Sequence, residues 1–106
     1  MDNLQLFGKR IRELRKLKGL TQEQPAETAG LDVKQISNLE TGNCFTTMQT
    51  IEKLADCFSC EIFQLFNFAH LKPKDDLIPV LNKKILRAEE KDVQLIAKLI
   101  SCVLED

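Results

Sequence analysis

Apolar residues recur along this chain at intervals of three and four, the spacing that lines side chains along one face of an α-helix. Phe7, Ile11, Leu14 and Leu17 form the first such stripe and predict a core-facing helix from Asn3 to Lys18, ended by Gly19, with Leu20 tucked beneath the next helix. A second pattern opens at Thr21, whose hydroxyl can cap a helix starting near Gln22. Gln24, three residues on, completes the sequence form of a capping box. Ala26 and Ala29 are small enough for a close helix crossing, and Gly30 supplies a left-handed stop. Asp32 then caps a third helix, Val33 to Glu40, with Ile36 and Leu39 on its inner face and Gly42 just past its end. Thr47 caps a fourth helix carrying Met48, Ile51, Leu54, Ala55 and Phe58. Cys60, Ile62, Leu65 and Phe66 predict a short fifth helix that closes the core.

The stretch Leu20 to Gly42, LTQEQPAETAGLDVKQISNLETG, joins two short helices through a tight glycine-bearing turn. Helix-turn-helix proteins use this arrangement to place a recognition helix in the major groove. The segments FGKRIRELRKLKGLTQEQ, AETAG, ISNLETG and TIEKLADCFSCEIFQLF follow one another between Phe7 and Phe66. By them the chain resembles the Xre family of helix-turn-helix regulators, the phage repressor and Cro type. The resemblance implies an all-α fold, with a five-helix repressor-like DNA-binding domain over residues 1–70. It further implies a transcriptional regulator, most simply a repressor, whose partner is double-stranded DNA.

The same resemblance assigns residues. Val33, Lys34, Ser37 and Asn38 would face base edges, where Lys34 can donate to guanine, Asn38 can bond adenine in bidentate fashion and Val33 can pack on a thymine methyl. Thr21 and Gln22 would touch backbone phosphates, Gln35 a flanking phosphate, and Arg10 and Arg15 the phosphates beside a basic first helix. Asn43 is the remaining phosphate candidate, in a loop where relatives often carry a cation. Glu40 would pair with an arginine of the first helix, since its charge repels phosphate. Pro25 departs from the leucine usual in relatives. With Thr21 as cap it falls at the fourth helical position, which predicts a lost hydrogen bond and a distorted first turn. Ser59 stands where relatives usually have glycine.

Charge changes this picture only in its distribution. The chain has 106 residues, 15 basic and 16 acidic, a net charge of −1, which is unusual for a dedicated polyanion binder. Residues 1–18 nevertheless hold six cations against two acids, a local basic patch. A hydrophobic content of 43% is enough for a real core. No apolar run reaches bilayer length and the N-terminus lacks the order of a signal peptide, so the expected location is the cytoplasm, without membrane attachment.

Catalytic and metal chemistry are poorly represented. Cys57-Phe-Ser-Cys60 lacks a second ligand pair at zinc-site spacing, since Cys44, His70 and Cys102 are scattered, and it lacks the strand that precedes a thioredoxin-like site. Reduced, buried thiols are the expectation. No nucleophile accompanies His70 and no glycine-rich phosphate loop occurs, which predicts a binder rather than an enzyme, with no cofactor or metal.

Residues 71–106 form a separate segment. LKPKDDLIP reads as a linker, after which Asp75 or Asp76 can cap a helix that tolerates Pro79 in its first turn. Helical spacing continues almost to the end, as one helix or as a helical hairpin broken near Ala88 to Glu90. Val93, Ile96, Leu99, Ile100 and Val103, with Leu95 and Leu104, spread apolar surface over more than one helix face. Either packing back on the N-terminal domain or a homodimer interface would cover this surface; these residues are the candidates for the homodimer interface, which is the favoured reading. The alternative function is a protein-interaction module that keeps the fold without binding DNA.

Overall fold

The computed structural model describes residues 1–105 and consists, over those residues, of seven α-helices and one 3-10 turn. The chain divides into two compact units, Met1–Lys72 and Pro73–Asp106.

The first unit holds five helices. α1 spans Asn3–Leu17 and α2 spans Glu23–Ala29, followed by α3 (Val33–Glu40), α4 (Met48–Cys57) and α5 (Ile62–Leu65), with a 3-10 turn at Ala69–Leu71. Their starts are set by side chains that satisfy orphan amides. Asp2 and Gln5 form a complete capping box on α1, Asp32 and Gln35 another on α3, and the Thr47 hydroxyl accepts from the Thr50 amide to open α4. Gly30, at φ +70°, ends α2. Ser59 ends α4 at φ +55°, a left-handed conformation that an L side chain adopts at a cost, which is the physical content of the missing glycine.

The core is one cluster built from Phe7, Ile11 and Leu14 of α1, Ala26 and Ala29 of α2, Ile36 and Leu39 of α3, and Ile51, Leu54, Ala55, Phe58 and Leu65 behind them. α1 lies directly on the end of α3. A Cβ on Gly8 would come within 2.6 Å of the Glu40 carbonyl oxygen, so only glycine permits this approach. Leu20 packs on the core as its position implies.

Several expectations need correction. Leu17 is 73% exposed rather than in the core, because it falls in the last turn of α1; Leu6, outside the predicted stripe, is buried instead. Met48 is exposed at the first position of α4, and Ile62 and Phe66 are only half-covered, leaving Leu65 as the buried residue of α5. α2 starts at Glu23, one residue later than predicted, with the Gln22 backbone as its helical boundary. Pro25 therefore sits at the third helical position, where its missing N–H has no intrahelical partner to lose. Ala26 donates to the Gln22 carbonyl at 3.3 Å and Pro25 is fully buried, so the anticipated distortion does not arise.

The second unit is α6 (Lys74–Arg87) and α7 (Glu90–Leu104), two helices rather than one, with Ala88 and Glu89 extended between them. The predicted linker is thus largely helical. Pro79 lies inside α6 and not in its first turn, and neither Asp75 nor Asp76 is the cap. No side chain of this unit is fully buried among the described residues, and α6 and α7 do not pack along one another.

Candidate nucleic-acid interface

α3 presents two chemically different faces. Ile36, Leu39 and Glu40 are buried against α1 and α2, while Val33 and Lys34 are exposed and Ser37 and Asn38 half-exposed on the outer side. The Asp32–Gln35 box fixes where the helix starts: the Gln35 amide donates to Asp32 Oδ1 at 2.8 Å, and the Asp32 amide donates to Gln35 Oε1 at 2.9 Å. The four predicted base-facing residues are therefore brought together on one rigid surface. Gln35, assigned to a flanking phosphate, is committed to the cap through its side-chain oxygen.

The inner end of α3 is held by a buried ion pair. Arg15 donates from Nε to Glu40 Oε2 at 2.7 Å and from Nη2 to Oε1 at 3.0 Å, and its Nη1 donates to the Leu20 carbonyl at 3.0 Å. Gln22 adds a third donor to the same carboxylate, from Nε2 to Oε1 at 3.2 Å. The fork matches the two carboxylate oxygens, which is the geometry that compensates charge burial. No buried side-chain nitrogen or oxygen lacks a partner among the described residues. This network ties the end of α1, the turn before α2 and the end of α3 into one block.

The network also redistributes the predicted phosphate contacts. Arg15 is buried and paired, so its expected phosphate role is replaced by a structural one; its partner is Glu40, as the sequence implied. Arg10 is likewise engaged inside the domain, donating from Nε to the Gln64 carbonyl at 2.9 Å and pairing through Nη1 with Glu13. Gln22 is half-buried on Glu40. Thr21 and Asn43 are exposed, Thr21 with its amide on Gln24 Oε1 at 2.9 Å and Asn43 with its amide on the Asn38 carbonyl at 2.9 Å. Lys9, Arg12, Lys16 and Lys18 are exposed and form no ion pair among the described residues. In the sequence all six cations of this segment form one patch, because periodicity does not separate a charge that pairs inward from one that stays in water.

A second polar cluster lies by α5. Glu13 receives Arg10 on one side and His70 Nε2, at 2.8 Å, on the other. Burial alone would raise the Glu13 carboxyl, but hydrogen bonds and charge from His70 and Arg10 outweigh it and hold the group below its ordinary range. Burial raises the Cys60 thiol, against the opposing charges of Arg10 and Lys18, as for an unreactive side chain. Cys57 and Cys60 are half-buried free thiols, less enclosed than expected. Among the described residues no group of His, Cys, Asp and Glu is placed to hold a metal ion.

Residues 8–65, spanning α1 through α5, match the family model described as a helix-turn-helix domain. The chain belongs to the helix-turn-helix family. Over 63 residues, 59% of this chain, it is 40% identical to the competence pilus inhibition repressor of Acinetobacter baylyi, and the match spans 57% of that relative's length. Over 61 residues, 58% of this chain, it is 36% identical to the uncharacterized HTH-type transcriptional regulator YazB of Bacillus subtilis, covering 88% of it. Among solved structures, the restriction-modification controller protein C.AhdI of Aeromonas hydrophila superposes with a TM-score of 0.56 at 40% identity, over 58% of this chain and 94% of that one. The helix-turn-helix of this chain is α2, the turn Gly30–Asp32 and α3, and the fold is that of Xre-type regulators, as the sequence motifs implied.

Proposed function

We propose that this helix-turn-helix protein is a sequence-specific DNA-binding transcriptional regulator that works in the cytoplasm as a homodimer and represses by occupying a palindromic operator. The observation that carries the reading is the outer face of α3, where Val33, Lys34, Ser37 and Asn38 stand together, clear of the core, on a helix clamped at both ends. Lys34 and Asn38 supply the donors and acceptors that guanine and adenine present in the major groove, and Val33 supplies a contact for the thymine methyl. Thr21, Asn43 and the exposed cations of α1 would dock the backbone, which positions the helix without reading sequence. A relative named as a repressor favours that sign of regulation. No helix among the described residues is long and apolar enough to cross a membrane.

The dimer rests on the second unit. Val93, Ile96, Ile100 and Val103 follow the three-four spacing of a coiled-coil seam, Leu99 extends it, and Leu99, Ile100 and Val103 are exposed. A second copy would cover this surface and join two weakly charged DNA-binding units, so that half-sites about one helical turn apart bind with the gain of effective concentration. The test is selection from a random duplex library with the full chain, followed by titration of the enriched duplex at two salt concentrations. An enriched palindrome whose affinity falls steeply with salt supports the regulator. Enrichment of nothing, with salt-insensitive binding, favours the interaction module.

A further inference from the structure

On the first unit six residues line an open concavity of about 300 Å³: Asn3, Leu4, Phe7, Phe45, Phe66 and Phe68. Phe7 is its buried floor. The ring of Phe66 stacks on Phe7 at 5.0 Å between centroids, and that of Phe45 tilts against it at 5.2 Å. Four of the chain's six phenylalanines thus converge on one spot, yet Phe45 remains 51% exposed. No ionisable side chain lines the space, and Asn3 is the one polar residue on it.

The chemistry of the lining selects its occupant. A charged group placed here would lose water without gaining a partner, which excludes ions and zwitterions. Faces and edges of aromatic rings favour another flat ring in stacked or edge-on contact. An apolar cavity of about 150 Å³ holds benzene, so a space twice as large takes a two-ring molecule. The lining of six residues from three short segments suits a compact molecule better than an extended helix.

The position of Phe45 gives such a molecule a consequence. Phe45 also borders a second, smaller concavity, of about 90 Å³, whose other walls include Leu31, Gln35 and Leu39. The same side chain therefore stands between the aromatic cavity and the recognition helix, two residues after Asn43. We propose that the cavity of Phe7, Phe45, Phe66 and Phe68 binds a neutral, flat aromatic molecule, and that its occupancy fixes the loop after α3 and so raises affinity for DNA. The second half of this proposal rests on the DNA-binding reading; the first does not. Ligand and DNA would then be coupled reciprocally through one loop.

The experiment is a titration of the full chain, carrying ¹³C-labelled phenylalanine, with indole as the probe and NMR as the readout. Saturable shifts at Phe7, Phe45, Phe66 and Phe68, with a dissociation constant below about 1 mM, are expected; that affinity is ordinary for a ligand of about nine heavy atoms. Indole-3-carboxylate should bind at least tenfold more weakly. Phe45→Ala, which removes a half-exposed wall, should weaken indole at least tenfold while leaving the helical spectrum intact. Saturating indole should tighten binding to the selected duplex at least threefold in the native chain and not in the variant. Shifts that do not saturate, that spread over the chain, or that track protein dilution instead of indole overturn the site, the last result assigning the cavity to a second copy. Indole binding without any change in duplex affinity overturns the coupling. If no duplex is selected, the regulator reading fails, and the indole titration still decides the cavity.

Discussion

Replacing Glu40 by leucine should be among the most damaging single changes in the DNA-binding unit, although Glu40 is not itself a proposed DNA contact. Its carboxylate receives Arg15 Nε at 2.7 Å, Arg15 Nη2 at 3.0 Å and Gln22 Nε2 at 3.2 Å. The Arg15 side chain is only 11% exposed and that of Glu40 3%. Glu40→Leu leaves a guanidinium buried with one remaining acceptor, the Leu20 carbonyl. Removing one partner of such a pair costs about 3–5 kcal/mol, chiefly through the charge left without a counterion. The residual exposure of Arg15 and its bond to Leu20 favour the lower end, about 3 kcal/mol. For a unit of this size that lowers the melting temperature by about 12–24 °C. The double variant Arg15→Met, Glu40→Leu removes both charges and restores apolar contact, so it should recover most of the loss and lie within about 1.5 kcal/mol of the native chain. Thermal and urea unfolding followed by circular dichroism measure all three proteins. A cost below about 1 kcal/mol for Glu40→Leu, or a double variant no more stable than Glu40→Leu, would overturn the buried-charge explanation.

Three other changes follow from the same geometry. Gly8→Ala places a methyl group 2.6 Å from the Glu40 carbonyl oxygen, and the forced separation of α1 from α3 should cost about 2–3 kcal/mol in urea unfolding. Glu13 has a folded-state pKa below its ordinary value, so its contribution to stability is fully present above the usual glutamate range, about pH 4.3, and is lost as pH falls through the lowered folded value. The stability difference between the native chain and Glu13→Gln should therefore shrink as pH falls below about 4.3, as read from unfolding midpoints. Ile96→Glu, on the proposed seam of α7, should convert a dimer to a monomer in sedimentation at micromolar concentration with unchanged folding of the first unit; a native chain that is already monomeric refutes the seam.

Periodicity and caps carried most of the fold to the surface of the sequence. Asp32, Thr47 and Gly30 act where their chemistry placed them, because a cap is a local bargain between one side chain and the next amides. The extent of each stripe was harder to read. Leu17 and Met48 continue the apolar pattern of α1 and α4, yet each sits in a terminal turn that runs past the packed neighbours. A helix start at Gln22 instead of Glu23 makes the absent Pro25 hydrogen bond look like a loss, and nothing in the local sequence decides between the two starts. Within the candidate site, the shared face of Val33, Lys34, Ser37 and Asn38 was legible from spacing alone. That Glu40 pairs with an arginine of the first helix was legible as well; that this arginine is Arg15, and that Arg10 turns to Gln64, was not, since the partners are distant in sequence and only the packing of α1 on α3 and α5 joins them. The aromatic cavity was invisible for the same reason: Phe7, Phe45, Phe66 and Phe68 come from three separate segments.

The proposed function stands or falls with the reading of DNA sequence by the outer face of α3. It is tested most directly by running the duplex selection in parallel with the native chain and with Lys34→Ala, a change at an exposed position that leaves the core untouched. Both proteins should enrich duplexes, and the variant should lose its preference at the one base pair per half-site where Lys34 donates, with the rest of the motif retained. An identical motif from both proteins would contradict that reading.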